Sequence, residues 1–312
     1  MSLAVVGSIA FDAVKTPFGE RERMLGGSAV HFSLASSFFA DVHMFGPVGD
    51  DFGDEEYAIL HNRSVNTDGI ERVEGGKTFF WRGHYEYDLN MAHTDDTQLN
   101  VFGDFEPKLN DSARDADVLF LANIQPDLQR AVREQCPDAR FVALDSMNLW
   151  IDIAKDSLIK TIQGVDAVFM NDAEIRMLTG QSNLVKAARE LLQLGPRLVI
   201  AKQGEYGAAL FTEHGFFALP AYPLEDVIDP TGAGDSFAGG FLGYVAQHLD
   251  EGGELDDDAF RRAMTYGSTM ASFNVENFGT ERVRDLAGEE IAERFAGFKA
   301  ITQFEEVAVS YR

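Results

Sequence analysis

The stretch Asp229-Pro230-Thr231-Gly232-Ala233-Gly234-Asp235 constrains this chain more than any other. A short turn of small residues runs into a segment whose Phe237, Phe241, Tyr244, Val245 and His248 recur at helical spacing. Gly232, Ala233 and Gly234 therefore fall at a helix N-terminus, where unpaired N–H groups and the helix dipole attract an anion. Missing or minimal side chains let that anion approach the backbone. Asp235 stands in the same first turn, although a carboxylate repels an anion. A general base explains it: Asp235 takes a proton from an attacking hydroxyl while the N–H groups hold a transferring phosphoryl group. A glycine turn followed by an acidic helix cap is the structural alternative.

Ahead of this turn the chain alternates short apolar runs with helical patterns. Strands are expected at 3–9, 42–45, 118–121, 141–144, 165–170 and 197–201, with a hairpin at 208–211 and 215–219. That hairpin would make one sheet edge antiparallel. Gly26-Gly27 opens a helix whose apolar face includes Val30, Leu34, Ala35 and Phe38. Asn171 and Glu174 stand at capping-box spacing. Further helices are expected at about 256–274 and 287–299. Residues 77–87 alternate aromatic and polar side chains, as a strand does, before Asp88-Leu89-Asn90 breaks the pattern. In open α/β sheets, residues just past strand ends line the ligand crevice, which singles out Asp12, Asn123, Asp145 and Asn148. Asp50 and Asp51 are followed by no calcium-loop spacing and read as a turn.

With 312 residues and 45% hydrophobic content, the chain can bury a large core. It contains no apolar run near the ~18 residues of a membrane span. Its first residues carry no basic stretch of the kind that opens a signal peptide. The single Cys136 allows no internal disulfide and fits a cytoplasmic setting. The net charge of −25 disfavours nucleic acid and anionic membranes as partners. The acids are spread along the chain, which fits either a plain solvated surface or adaptation to a high-salt cytoplasm.

The run Asp-Pro-Thr-Gly-Ala-Gly-Asp-Ser-Phe-x-Gly-Gly-Phe resembles the signature of the ribokinase-like, phosphofructokinase-B type carbohydrate and nucleoside kinases. The likeness extends over essentially the whole chain. It implies one α/β domain over residues 1–312, with a doubly wound, mostly parallel sheet flanked by helices. A small β-sheet lid would be formed by about 10–25 and 76–105. The implied reaction is ATP-dependent phosphorylation of a hydroxyl on a sugar or related polyol. A nucleoside kinase and a non-catalytic ligand sensor on the same fold are the alternatives.

The same resemblance distributes roles. Asp235 is the base, and Gly232, Ala233 and Gly234 form the anion hole. Asp12, Gly26, Gly27, His31 and Asn123 meet the substrate; His31 replaces the family's usual Asn. Trp81, Arg82, Tyr85 and Asn90 are substrate contacts from the lid, or simply lid core. Lys202, Gly204, Gly207 and Ser268, with Met270 near it, belong to the nucleotide site. Asn171 and Glu174 order waters around Mg2+, which accompanies ATP. Asp229 and Thr231, with carbonyls of residues 274–281, contribute to a monovalent-cation site, for which K+ is the expected ion. Two chains pair through their lids.

Overall fold

The computed structural model describes residues 1–305. Thirteen strands run in chain order: β1 Ser2–Val6, β2 Ala10–Thr16, β3 Gly19–Gly26, β4 Asp41–Val48, β5 Asn66–Arg72, β6 Phe79–Tyr85 and β7 Ala92–Gln98 come first. They are followed by β8 Val118–Leu121, β9 Phe141–Asp145, β10 Ala167–Asn171, β11 Leu198–Lys202, β12 Ala208–Phe211 and β13 Phe216–Leu219. Nine form one sheet in the order β13-β12-β11-β10-β9-β8-β1-β4-β5. From β11 to β5 every neighbouring pair is parallel; β12 and β13 join antiparallel, as the hairpin reading expects.

Both faces of this sheet are buried, which is why its central strands read as continuous apolar runs. Leu3, Val5, Val118, Phe120 and Phe169 point to one face, against helices Ser28–Ser36, Ala233–Asp250 and Asp257–Asn274. Ala4, Val6, Leu119, Leu121 and Met170 point to the other, against Val132, Leu158, Ile175 and Leu191 of the opposite helix layer.

Two helices are buried more completely than a one-faced pattern allows. All nine residues of Ser28–Ser36 are buried, and Phe38 lies beyond its end. Helix Ala233–Asp250 is sandwiched: a side chain on Gly239 would come 2.5 Å from the Phe32 carbonyl, and one on Gly240 2.5 Å from that of Tyr266. Its glycines form close-packing seams, while Tyr244 and His248 of the expected apolar face are only half-buried.

From β1 the chain fills one side of the sheet and then returns to β8 on the other. The strand order reverses there, so a crevice opens beyond the carboxyl ends of β1 and β8. Gly7 allows this closeness, since a Cβ on it would stand 2.7 Å from Ala122 Cβ and 2.8 Å from Ser28 Oγ.

A second, four-stranded sheet has the order β3-β2-β6-β7. Its central pair is parallel, with Asp12 in register with Trp81. Strands β5 and β7 are ones the hydrophobic pattern does not reveal. Every residue of β7 is exposed, so backbone pairing makes it a strand, and β5 buries none fully and adds to its pairing only half-buried contacts such as Ile70. Among the described residues no helix is long and apolar enough to cross a membrane.

Candidate active site

The turn before helix Ala233–Asp250 is held from below by Asp229, which is fully buried. Its Oδ1 accepts the Thr231 N–H at 2.9 Å, and its Oδ2 accepts the Gly279 N–H at 3.0 Å. Gly232 adopts φ +76, and a Cβ there would lie 2.3 Å from the His31 ring. Only glycine meets both conditions. A Cβ on Gly234 would stand 3.0 Å from Lys202 Nζ, so an ammonium lies over bare backbone at the start of the helix. Asp235 shares that first turn. Burial raises its carboxyl to about 7; Asp145 adds to the rise and Lys202 opposes it.

Asp12 lies almost wholly buried on β2, with its carboxylate against Gly26: a Cβ there would be 1.9 Å from Asp12 Oδ2. Burial, then the charge of Asp229, raises the Asp12 carboxyl to about 7, although the Gly27 N–H stabilises the charged form. His31 packs on Gly232 from helix Ser28–Ser36. Its Nδ1 lies 3.0 Å from Asn274 Oδ1, and its Nε2 is buried without a partner. Burial lowers this imidazole to about 4, so it is neutral at physiological pH.

Three parallel strands end side by side in the next part of the crevice. β11 ends at Lys202, β9 at Asp145, and β10 between them at Asn171. Lys202 Nζ donates to Asp145 Oδ2 at 2.5 Å, and Asp145 Oδ1 accepts the Ser146 N–H at 2.8 Å. Burial favours the neutral amine, but the charges of Asp145 and Glu174 outweigh it and hold Lys202 above its ordinary value, as an ammonium. Asn171 and Glu174 form the capping box: Asn171 Oδ1 accepts the Glu174 N–H, and Glu174 Oε2 the Asn171 N–H, each at 2.8 Å. Burial raises the Glu174 carboxyl to about 7, with Lys202 opposing.

The small sheet reaches this crevice at two points. Thr231 Oγ1 donates to Tyr85 Oη at 3.2 Å. Asn90 Nδ2 donates to Glu205 Oε1 at 3.0 Å, and its Oδ1 lies where a Cβ on Gly204 would be. Asn90 thus meets the loop after β11. Trp81 lies over Gly83 and donates from Nε1 to Thr94 Oγ1 at 3.2 Å. It shares the Asp12 face of the sheet, whereas Arg82 points to the opposite face.

Other expected residues stand apart from this cluster. Asn123 ends the β8 segment, with Oδ1 accepting the Trp150 indole N–H at 2.9 Å. Gly207 (φ +98) shapes the entry to the β12–β13 hairpin, where a Cβ would meet the Leu219 carbonyl at 2.1 Å. Ser268 and Met270 are buried within helix Asp257–Asn274. Sequence reasoning pointed to 274–281 only for backbone carbonyls; it did not find the role of the Asn274 side chain, which joins His31, Ser236 and Thr231, nor the pairing of Asp145 with Lys202. An Asp and a Lys at two strand ends were visible in the sequence; that they meet across the end of β10 depends on the strand order.

A magnesium ion would fit here only with waters and substrate oxygens completing its shell. Among the described residues no three His, Cys, Asp or Glu side chains form a metal cage. Glu174 Oε2 is spent on the helix cap, which leaves Oε1 to hold a hydrated ion. Both Asp229 oxygens accept backbone N–H groups, so that carboxylate already has a turn-fixing task.

A model of the pfkB family of carbohydrate kinases matches residues 2–285. The chain is 29% identical to a cytidine kinase of Thermococcus kodakarensis, over 78% of this chain and 87% of the relative. It is 25% identical to an ATP-dependent ribose-1-phosphate kinase of Halopiger xanaduensis, over 86% and 87% respectively. In structure it resembles the nucleoside kinase of Methanocaldococcus jannaschii, a member of the ribokinase family. The TM-score is 0.76 at 20% identity, covering 95% of this chain and 98% of that one.

Proposed function

The chain belongs to the pfkB family of carbohydrate kinases, phosphotransferases with a hydroxyl acceptor, and we propose that it moves the terminal phosphoryl group of ATP onto a hydroxyl of a sugar or related polyol. One observation carries this reading. Asp235 stands in the first turn of helix Ala233–Asp250, one residue from the bare backbone of Gly234 over which the Lys202 ammonium lies. A proton acceptor, the Gly232 and Gly234 N–H groups and a charged ammonium are thereby gathered at one helix end, while the Ala233 N–H donates to the Pro230 carbonyl at 3.2 Å.

In this reading the acceptor substrate rests against Asp12, Gly26 and Gly27, with His31 and the NH2 group of Asn123 at its margins. Asp235 takes the proton of the attacking hydroxyl as the new O–P bond forms and the bond to the leaving nucleotide breaks. The N–H groups of Gly232 and Gly234 and the Lys202 ammonium stabilise charge on the transferring group, joined by the Ala233 N–H once it leaves the Pro230 carbonyl. ATP lies along Lys202, Gly204 and Gly207, with Ser268 near the base. Magnesium, when bound, neutralises phosphate charge, and Asn171 and Glu174 would hold it through waters. The small sheet acts as a lid: its contacts at Thr231 and Glu205 close the crevice, so water does not compete as acceptor.

A nucleoside acceptor is the second reading. It is favoured by Trp81, a residue in register with Asp12 on the same face of the small sheet, whose half-buried ring would offer a base a surface to stack on. The deciding experiment is a turnover screen with ATP and Mg2+ over ribose, fructose, inositol, cytidine, adenosine and ribose 1-phosphate. Turnover of the free sugars or inositol supports the first reading. Turnover confined to nucleosides replaces it with the second. Binding without turnover of any compound would sink catalysis and leave a ligand sensor.

A further inference from the structure

Asn274 ends helix Asp257–Asn274 and is fully buried, yet its side chain makes three hydrogen bonds to three different segments. Its Nδ2 donates to the Thr231 carbonyl at 2.7 Å. Its Oδ1 lies 3.0 Å from His31 Nδ1 and accepts the Ser236 hydroxyl at 2.9 Å. The orientation of this amide is forced, because a backbone carbonyl can only accept and must face the NH2 group. Oδ1 therefore faces His31 and Ser236, and both must donate to it. His31 then carries its proton on Nδ1 and a lone pair on the buried, unpartnered Nε2. The same imidazole packs flat on Gly232, where a side chain would overlap its ring.

We propose that Asn274 is a positioning residue for phosphoryl transfer: its carboxamide sets the His31 tautomer and ties Thr231 and Ser236, which flank the anion-binding turn, into one register. This rests on the reading of Gly232–Gly234 as the phosphoryl site. Thr231 precedes the glycines and Ser236 follows the base, so one side chain clamps the turn at both ends. A displacement of about 1 Å in such a turn costs on the order of 100-fold in rate. Loss of the clamp therefore acts on the chemical step. Nucleotide affinity also draws on the separate loop at Lys202–Gly207 and should be affected less.

The test has two arms. In the first, 15N NMR of histidine-labelled parent protein reads the His31 tautomer directly. Protonated Nδ1 with unprotonated Nε2 is expected; the reverse tautomer overturns the proposal. In the second, single-turnover rate and ATP affinity are measured for Asn274→Ala and Asn274→Asp. The Ala variant should lose about 10- to 100-fold in rate, with ATP affinity within about threefold of the parent. The Asp variant keeps an acceptor for His31 but loses the donor to Thr231. It should keep Nδ1 protonated without recovering the rate. Parental rates in either folded variant overturn the role of Asn274, as does an equal loss in rate and affinity, which would mark a merely structural residue. A parent without turnover on any acceptor fails the proposed function instead, and the tautomer arm then decides for Asn274.

Discussion

The two ends of the crevice are built with opposite electrostatics. Where β9, β10 and β11 end, buried carboxyl groups surround a cation: Lys202 is bonded to Asp145 and close to Glu174. Where β2 meets the Asp229 turn, Asp12 and Asp229 are buried with only hydrogen bonds from Gly27, Gly279 and Thr231 to offset the cost. Asp235 stands between the two, coupled to Asp145 and Lys202 on one side and to Asp12 on the other. An ammonium able to meet an anion stands at the first end, whereas the second presents carboxyl groups that repel one. This polarity suits a phosphate donor at the lysine end and an uncharged, hydroxyl-bearing acceptor at the other. It makes ribose 1-phosphate the poorest sugar expected in the turnover screen.

The largest effect should come from the group between the two ends. Asp235→Asn keeps the shape but cannot accept a proton, so kcat should fall by about 10²–10⁴-fold. ATP affinity should hold or improve slightly, because a negative charge near the phosphates is gone. Single-turnover transfer and equilibrium ATP binding check this; near-parental turnover would remove Asp235 from the mechanism.

Lys202→Met turns the first end into a copy of the second. ATP affinity should weaken at least tenfold. Stability should drop as well, because breaking a buried pair by removing one partner costs on the order of 3–5 kcal/mol. Adding Asp145→Asn should restore much of the stability and none of the affinity. A double variant as unstable as the single one would show that the pair is not what Lys202 contributes to folding.

The acidic end should also reveal itself in pH dependence. Asp12 and Asp235 have folded values raised from 3.8 to about 7. The folded state then binds these protons more tightly than the unfolded chain does. Their contribution to stability is full below 3.8 and is lost as pH rises through about 7. Activity should move the other way, rising over the same range as Asp235 ionises. Urea unfolding of the parent and of Asp12→Asn from pH 4 to 8 isolates the effect. A stability difference that stays constant with pH would refute the buried, repelling pair.

The smallest effect separates both ends from the surface. Raising KCl should raise the melting temperature, since screening relieves repulsion among exposed acids on a chain of net charge −25. The activity midpoint near neutral pH should move little, because buried groups are screened less. A flat or falling melting temperature would reject salt adaptation. Activation by K+ beyond Na+ at equal ionic strength would point to a specific cation site at Asp229 and Thr231.

Much of this was legible in the residues. Apolar runs marked the central strands because a sheet buried on both faces needs side chains that can enter either core. Gly232, Ala233, Gly234 and Asp235 announced a helix end with a carboxylate, because local chain chemistry is enough to make one. The Asn171–Glu174 cap is equally local. β7, a fully exposed AHTDDTQ segment, carried no such signal, and neither did β5 with its Asn66-Thr67-Asp68 start. These are strands mainly because a neighbouring backbone offers them a ladder.

The sequence by itself therefore determined the elements whose cause lies within a few residues: strands, caps, the glycine turn and the carboxylate beside it. Tertiary structure alone decided which strand ends became neighbours, and so that Lys202 meets Asp145 57 residues away. It also brought Asn274 to His31 across 243 residues and turned Asn90 onto the loop of Glu205. The physical reason is that these contacts depend on the order of strands in the sheet and on which helices cover each face. Those choices are made by burial summed over the whole chain, and no short stretch of residues records them.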